Sequence, residues 1–179
     1  MPPDVAARAQ SAAASPAATP NPLPGTQTAA GAANVLPAGY VYPADKMPLH
    51  TIPATPTPDG LTFDPNVKGD AARGLKTFSS SACAFCHYIN GNPAAIGQVG
   101  PNLTHVGSRH TIGGGLFPND TKHLSLWIKN ARWMKPGITM PTLGANQTDP
   151  VTKAKVTAGL GGLSDQQIAD IVAYLQALK

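Results

Sequence analysis

The feature that most constrains this chain is a pair of cysteines two residues apart, followed at once by a histidine, in Cys83-Ala84-Phe85-Cys86-His87. Two thiols at this spacing can add to the two vinyl groups of one porphyrin, and His87 then reaches the iron. The chain has only these 2 cysteines, which disfavours a zinc site. A thioredoxin-like redox pair prefers a βαβ setting that the sequence lacks. We therefore expect one covalent c-type haem.

The motif supplies one axial ligand, His87, and a second has to come from elsewhere in the chain. The candidates are two methionines and four histidines: Met134, Met140, His50, His105, His110 and His123. Met140 is favoured because Pro141 restricts it to an extended conformation, which can present its sulfur from a loop. Met134 falls at the end of a predicted helix, where packing is the commoner role. We expect His87 and Met140 to be the metal ligands.

The first 66 residues differ in composition from the rest of the chain. They hold 13 of the 19 prolines, and residues 1–34 alone hold 12 alanines. Such a stretch has little apolar bulk to offset the entropy of ordering it. Residues 1–34 are therefore expected to be a flexible Ala/Pro linker.

Residues 35–66 are also rich in proline but carry larger side chains, including Tyr40, Tyr42 and Met47. Apolar clusters in a segment that cannot form its own core usually mark a contact surface. Two interpretations stay open: an extended strap that docks on a partner or on the domain itself, or a continuation of the disordered linker. Residues 67–179 then form the globular domain, which is long enough for a small core around a porphyrin.

Charge is unevenly distributed along the chain. From residue 67 onward there are eleven Lys and Arg against five Asp, which gives this part a net charge of +6. A basic domain favours acidic partners or anionic surfaces, but the charges are scattered without a reading helix, so nucleic acid is not expected. No run approaches about 18 apolar residues, so no transmembrane segment is predicted. No secretory signal is evident either, which suggests a missing N-terminal anchor or leader.

Hydrophobic spacing predicts three helices separated by long loops. The first runs from about residue 70 to 81, and the second from about 121 to 130 with Asp120 as its N-cap. The last begins at Ser164, which forms a capping box with Gln167. Long loops in a compact domain usually wrap something, and here that is expected to be the haem.

The same patterns predict the fold class. No convincing strand pair is evident, so the domain is expected to be all-α, with three to five helices wrapped around one haem and a long Pro/Ala-rich extended tail in front. On the second helix, Lys122 and Lys129 fall opposite Leu124 and Trp127. Both lysines are therefore expected on a solvated face, with a docking role as the alternative.

Residues 67–179 resemble a class I cytochrome c. Five stretches carry the resemblance: Gly69–Phe78 (first helix), Ala173–Leu175 (last helix), Gly100–Leu103 (loop under the proximal histidine), Gly107–Arg109 (arginine that faces a haem propionate) and Met134–Pro141 (sixth-ligand loop). The resemblance implies that the small and aromatic residues of the first helix meet the last helix.

The resemblance also implies roles for individual residues. The carbonyl of Pro101 would accept from the His87 ring, Leu103 would pack on the haem, and Arg109 would face a propionate. The expected cofactor-binding residues are Cys83, Cys86, His87, Pro101, Leu103, Arg109, Trp127 and Met140.

One subgroup of the family is more similar still. Gly100–Thr111, followed by Pro118-Asn119 and then by Leu124 and Trp127-Ile128, resembles the cytochrome c domain fused to subunit II of some haem–copper oxidases. A complete subunit II also has two transmembrane helices and a dicopper site with further Cys and His ligands, which this sequence lacks. A fused oxidase subunit is therefore not expected for this chain as given, and the resemblance leaves open a free or separately encoded relative.

The function implied is single-electron transfer by one His/Met-ligated haem c, within or to a membrane-associated respiratory or photosynthetic chain. The expected partners are redox proteins, a terminal oxidase of the membrane or another electron-transfer complex, and no enzymatic activity is expected of the chain itself. The alternatives are a haem enzyme, acting on peroxide or sulfur compounds, or the cytochrome subunit of a dehydrogenase complex. Haem is attached to such domains outside the cytoplasmic membrane, so the expected location is periplasmic or extracytoplasmic, with membrane association through a partner or a missing anchor.

Overall fold

A computed structural model describes residues 55–179, and these residues form a mostly helical domain. The four α-helices within this range are α1 (Ala71–Ser80), α2 (Ala82–Cys86), α3 (Thr121–Met134) and α4 (Asp165–Ala177), with a 3-10 turn at Val106–Ser108. None of these helices is both long and apolar enough to cross a membrane. The predicted linker, residues 1–34, and most of the predicted strap, residues 35–54, lie outside the described residues.

The expectation of a purely α domain was wrong in one detail. Two short strands, β1 (Thr111–Ile112) and β2 (Phe117–Pro118), pair in antiparallel fashion, with Thr111 opposite Pro118 and Ile112 opposite Phe117. Each strand has only two residues, so the alternation that marks a strand in a sequence cannot develop.

Side-chain caps set where three of the helices begin. Asp70 accepts from the backbone N–H of Arg73 at 2.8 Å, and Asp120 accepts from that of His123 at 2.8 Å. The predicted capping box at Ser164 is present, with both of its hydrogen bonds to Gln167 formed. Each cap satisfies an N–H that would otherwise lack a partner in the first turn.

Helices α1 and α4 cross at close range and form the centre of the core. The crossing is possible because Gly74 has no side chain, and a Cβ at that position would collide with the Asp170 carbonyl and the Tyr174 Cβ. Beside it, the rings of Phe78 and Tyr174 meet edge to face, 5.8 Å apart. Leu75, which follows Gly74 in α1, is 42% exposed although it is apolar.

Helix α3 is covered on more sides than the sequence indicated. Lys129, expected on a solvated face, is only 7% exposed, and its Nζ donates to the Thr62 carbonyl at 2.8 Å and pairs with Asp165 at 2.6 Å. Leu61 is buried in the same core. The expectation for Lys129 was wrong because the segment before residue 67 packs on that side of α3, which helical spacing alone cannot indicate.

The predicted end of the second helix, near residue 130, coincides with a break in α3. Asn130 has non-helical backbone angles (φ −155°, ψ 78°), and one further turn follows it to Met134. Met134 is 6% exposed and packs in the core, while Trp127 is half-buried and packs against that core. The break turns the chain into the loop that contains Met140.

Candidate functional site

A cavity of about 550 Å³ lies in the described domain, between α2, α3, α4 and the intervening loops. This volume is within the range of small-molecule and cofactor sites, and the lining is mostly apolar. All eight residues expected to bind the cofactor line it: Cys83, Cys86, His87, Pro101, Leu103, Arg109, Trp127 and Met140. Residues up to 57 positions apart in the sequence are thus brought to one site.

The cysteine pair lies on α2, the short helix that directly follows α1 after Ser81. Cys83 is buried and Cys86 is half-buried, and no disulfide joins them. Burial raises the pKa of the Cys83 thiol, and a weaker hydrogen bond with Ser81 acts in the opposite direction. Because reactive redox cysteines have a lowered pKa, this environment disfavours a thioredoxin-like pair.

His87 is held by a hydrogen bond to the backbone. Its Nδ1 lies 2.9 Å from the Pro101 carbonyl oxygen, and because a carbonyl can only accept, Nδ1 carries the proton. Nε2 therefore keeps its lone pair for a metal ion, as is usual for histidine ligands with an oriented ring. The loop is close to the ring at Gly100, where a Cβ would lie 2.5 Å from His87 Cε1.

The candidates for a second axial ligand lie in different surroundings. Among the described residues, the cavity lining contains one methionine, Met140, and one histidine, His87. His105 hydrogen-bonds the Lys179 carbonyl and His123 bonds the carboxylate of Asp120, while His50 lies outside the described residues. Met140 is half-buried, so its side chain reaches both the cavity and the surface.

Arg109 and Lys135 bring positive charge to the cavity lining. The Arg109 guanidinium donates to the Asn102 carbonyl, and Lys135 Nζ donates to the Gly113 carbonyl at 3.0 Å. A cofactor with carboxylate groups would find two cations in the cavity lining, where each could bind a carboxylate. Lys135 was not predicted at the site, because the second helix was expected to end near residue 130. In the structure α3 continues to Met134, and Lys135 follows it directly.

Three successive glycines, Gly113 to Gly115, form the turn between β1 and β2 beside the cavity. Their φ angles are 67°, 76° and 90°, a left-handed region that favours glycine. A Cβ at Gly113 would lie 2.9 Å from the Trp127 ring, so this turn packs against the indole. The glycine run was visible in the sequence, but its link to the cavity depends on the hairpin.

The surface next to the motif is apolar and uncharged. Phe85, Ile96 and Val99 are 81%, 69% and 78% exposed, and no Asp, Glu, Lys or Arg occurs between residues 77 and 108. The Gly97 N–H donates to the Ala84 carbonyl at 3.3 Å, which joins the two segments that carry these side chains. Val99 also lines the cavity, so this surface adjoins the site itself.

The fold and the site together define a covalent haem protein in which a Cys-x-x-Cys-His helix lines an apolar cavity. Residues 71–179, more than half of the chain, match the family Cytochrome c. The chain therefore belongs to the cytochrome c family. Its cofactor is haem c, held covalently, and its role is that of a haem electron carrier.

The chain also resembles several solved structures. SoxXA from P. pantotrophus, a crystal structure, is 24% identical with a TM-score of 0.48, and the match covers 70% of this chain and 94% of that chain. No curated protein shows significant similarity to the sequence. The resemblance to the oxidase-fused subgroup stays a prediction.

Proposed function

We propose that this chain is a single-electron carrier with His87 and Met140 as axial ligands of one haem c. The observation that carries the proposal is that one cavity of the described domain is lined by the cysteine pair, one histidine and one methionine. Bound haem c supplies a one-electron couple, and His/Met ligation raises its potential. The chain itself orients His87 through Pro101 and keeps water from the site with an apolar lining.

The proposed acceptor is a high-potential partner protein, with a terminal oxidase of a membrane-associated chain as the leading candidate. The uncharged surface formed by Phe85, Ile96 and Val99 supports docking of a partner protein at this site, because an apolar patch beside the cofactor lets a partner approach closely. The proposed location is extracytoplasmic, since the expected attachment of haem takes place there. Fractionation of the native source tests the location.

The ligation is tested with spectra of the native protein. The reduced-minus-oxidised spectrum should be that of a c-type haem, acid–acetone should leave the haem attached, and the ferric form should show a weak near-infrared charge-transfer band from the methionine sulfur. Cys83→Ala and Cys86→Ala should each weaken covalent retention, and His87→Ala should abolish normal ligation. Extraction of all haem from the wild-type chain would contradict the proposal, and rapid turnover of peroxide would favour a haem enzyme instead.

A further inference from the structure

The loop that carries Met140 follows the last turn of α3, which begins at the break at Asn130. Asn130 is fully buried, and its Oδ1 accepts from the Trp133 N–H at 3.2 Å, as an N-cap side chain does. The break is therefore stabilised by its own cap and is not a defect in the helix. It frees the backbone of Asn130 to pair with Thr142, two residues beyond Met140, in an antiparallel bridge.

Side-chain bonds reinforce this return of the loop to α3. The Thr142 hydroxyl donates to Asn130 Oδ1 at 2.9 Å, and Asn130 Nδ2 donates to the Thr148 carbonyl at 3.2 Å. The Gly144 N–H donates to the Lys129 carbonyl at 2.8 Å. The chain immediately after Met140-Pro141 is thus anchored to buried groups of α3.

The chain immediately before Met140 is anchored by a different residue. Arg132 donates from one terminal nitrogen to the Thr139 carbonyl at 3.1 Å and from the other to Asp149 at 2.9 Å. Asp149 is itself fixed, because its second oxygen accepts from the N–H groups of Val151 and Thr152, each at 2.9 Å. Arg132 therefore connects the Met140 loop to a rigid carboxylate.

We propose that Asn130 and Arg132 are positioning residues that clamp residues 139 and 142 and so control how readily Met140 leaves the iron. Neither residue lines the cavity, so each acts through Met140 and not on the cofactor. Only Met140 and Pro141 lie between the two anchors, which leaves the ligand little freedom to move while both hold. This inference rests on the proposed ligation by Met140.

A clamp differs from ordinary structural support in what it controls. Imidazole added to the ferric protein can bind only when the methionine has left, so its rate of binding reports on opening of this loop. Loss of general support lowers the free energy of unfolding without changing that rate at low denaturant, since local and global opening are separate events. The rate therefore separates the two roles.

The experiment uses the full haem-loaded chain with Arg132→Gln, Thr142→Val and a control, Arg73→Gln. Arg73 makes a comparable pair with Asp170 at 2.8 Å, but it lies on α1, away from the Met140 loop. In Arg132→Gln and Thr142→Val, imidazole should bind about tenfold faster or more, as expected for loss of a buried or charge-assisted hydrogen bond. The near-infrared band should weaken with modest heating. Arg73→Gln should bind imidazole at the wild-type rate.

Two outcomes would overturn the proposal, and they are distinguishable. If the wild-type band is present and is lost in Met140→Ala, but both loop variants bind imidazole at the wild-type rate, the clamp does not exist although Met140 ligation stands. If wild type and Met140→Ala have the same near-infrared spectrum, with or without the band, Met140 is not the ligand and both proposals fail. If Arg132→Gln does not fold, Thr142→Val decides alone, because valine keeps the shape of threonine and removes only the hydroxyl.

Discussion

At the scale of single residues, the assignment of the sixth ligand can be tested by replacing each of two methionines, Met134 and Met140, which lie six residues apart. Met134 is buried in the core, whereas Met140 lines the cavity. Met140→Ala should abolish the near-infrared band of the ferric protein, and the matched Met134→Leu should retain it with a small loss of stability. The spectra of the two purified variants are the measurement. The opposite pattern would assign the ligand to Met134.

Replacement of Met140 by histidine gives a second test of the sixth ligand, in which the reduction potential of the haem is measured. Imidazole favours ferric iron more than a thioether does, so Met140→His should lower the midpoint potential by on the order of 0.1 V, within the about 0.8 V range that axial ligands span. A redox titration of wild type and variant measures this. An unchanged potential would show that residue 140 does not bind the iron.

Among single residues, those of the candidate site could be predicted where neighbouring residues in the sequence form a recognisable pattern. The cysteines and His87 were expected from one motif and Met140 from the proline beside it, and all four line the cavity, while ligation by Met140 stays a prediction. Lys135 and the turn glycines were not predicted, because their place at the cavity depends on where α3 ends and on a hairpin of two-residue strands. Residues that act through tertiary contacts leave no local pattern.

At the scale of elements, the crossing of α1 and α4 depends on Gly74. Helix propensity alone predicts that Gly74→Ala stabilises the protein by up to about 1 kcal/mol. The collision of a Cβ with Asp170 and Tyr174 predicts instead a net loss of about 1–3 kcal/mol. Urea unfolding of the variant decides the sign. Ala72→Gly, at an exposed position of the same helix, should cost only about 1 kcal/mol.

The same pair of helices should confer sensitivity to acid. The Asp170 carboxylate accepts from Arg73 and from the Asp70 N–H, and the hydrogen bond from Arg73 is the main cause that lowers the pKa of Asp170. A lowered folded-state pKa stabilises the protein above the unfolded-state value of about 3.9 and ceases to do so as pH falls through the folded-state pKa. The stability difference between wild type and Asp170→Asn should therefore shrink below about pH 4. Urea midpoints between pH 7 and 3 measure it, and a constant difference would contradict it.

The sequence predicted the start of a helix where a short-range capping interaction sets it. The caps at Asp120 and Ser164 are present as expected, because capping is a short-range interaction. Helix α3 was placed correctly up to Asn130, and the turn beyond it was missed because a side chain re-caps the helix there. That last turn therefore begins at the Asn130 cap, which a helical hydrophobic pattern does not indicate.

For the molecule as a whole, the described core extends beyond the predicted start of the domain. Leu61 is 8% exposed and Phe63 packs against the core, so this part of the predicted strap lies on the domain's own surface. The strap had been left open between a partner, the domain and disorder, since proline-rich composition does not indicate which surface a segment meets. The hydrogen bond from the Lys129 ammonium to the Thr62 carbonyl joins this segment directly to α3. Lys129 would lose that hydrogen bond if the segment were removed.

This contact predicts how the domain responds to shortening. A chain that begins at residue 67 should be less stable than one that begins at residue 55, by about 2–3 kcal/mol. Burial of a leucine contributes about 1.5–3 kcal/mol, and removal of Thr62 leaves a buried lysine with one partner fewer. Urea unfolding of both haem-loaded chains measures the difference. Leu61→Ala in the longer chain should reproduce most of it, because the leucine supplies most of the buried apolar surface. Equal free energies of unfolding would show that the contact of residues 55–66 with α3 does not stabilise the domain. Lys129 would then be stabilised by its ion pair with Asp165 alone.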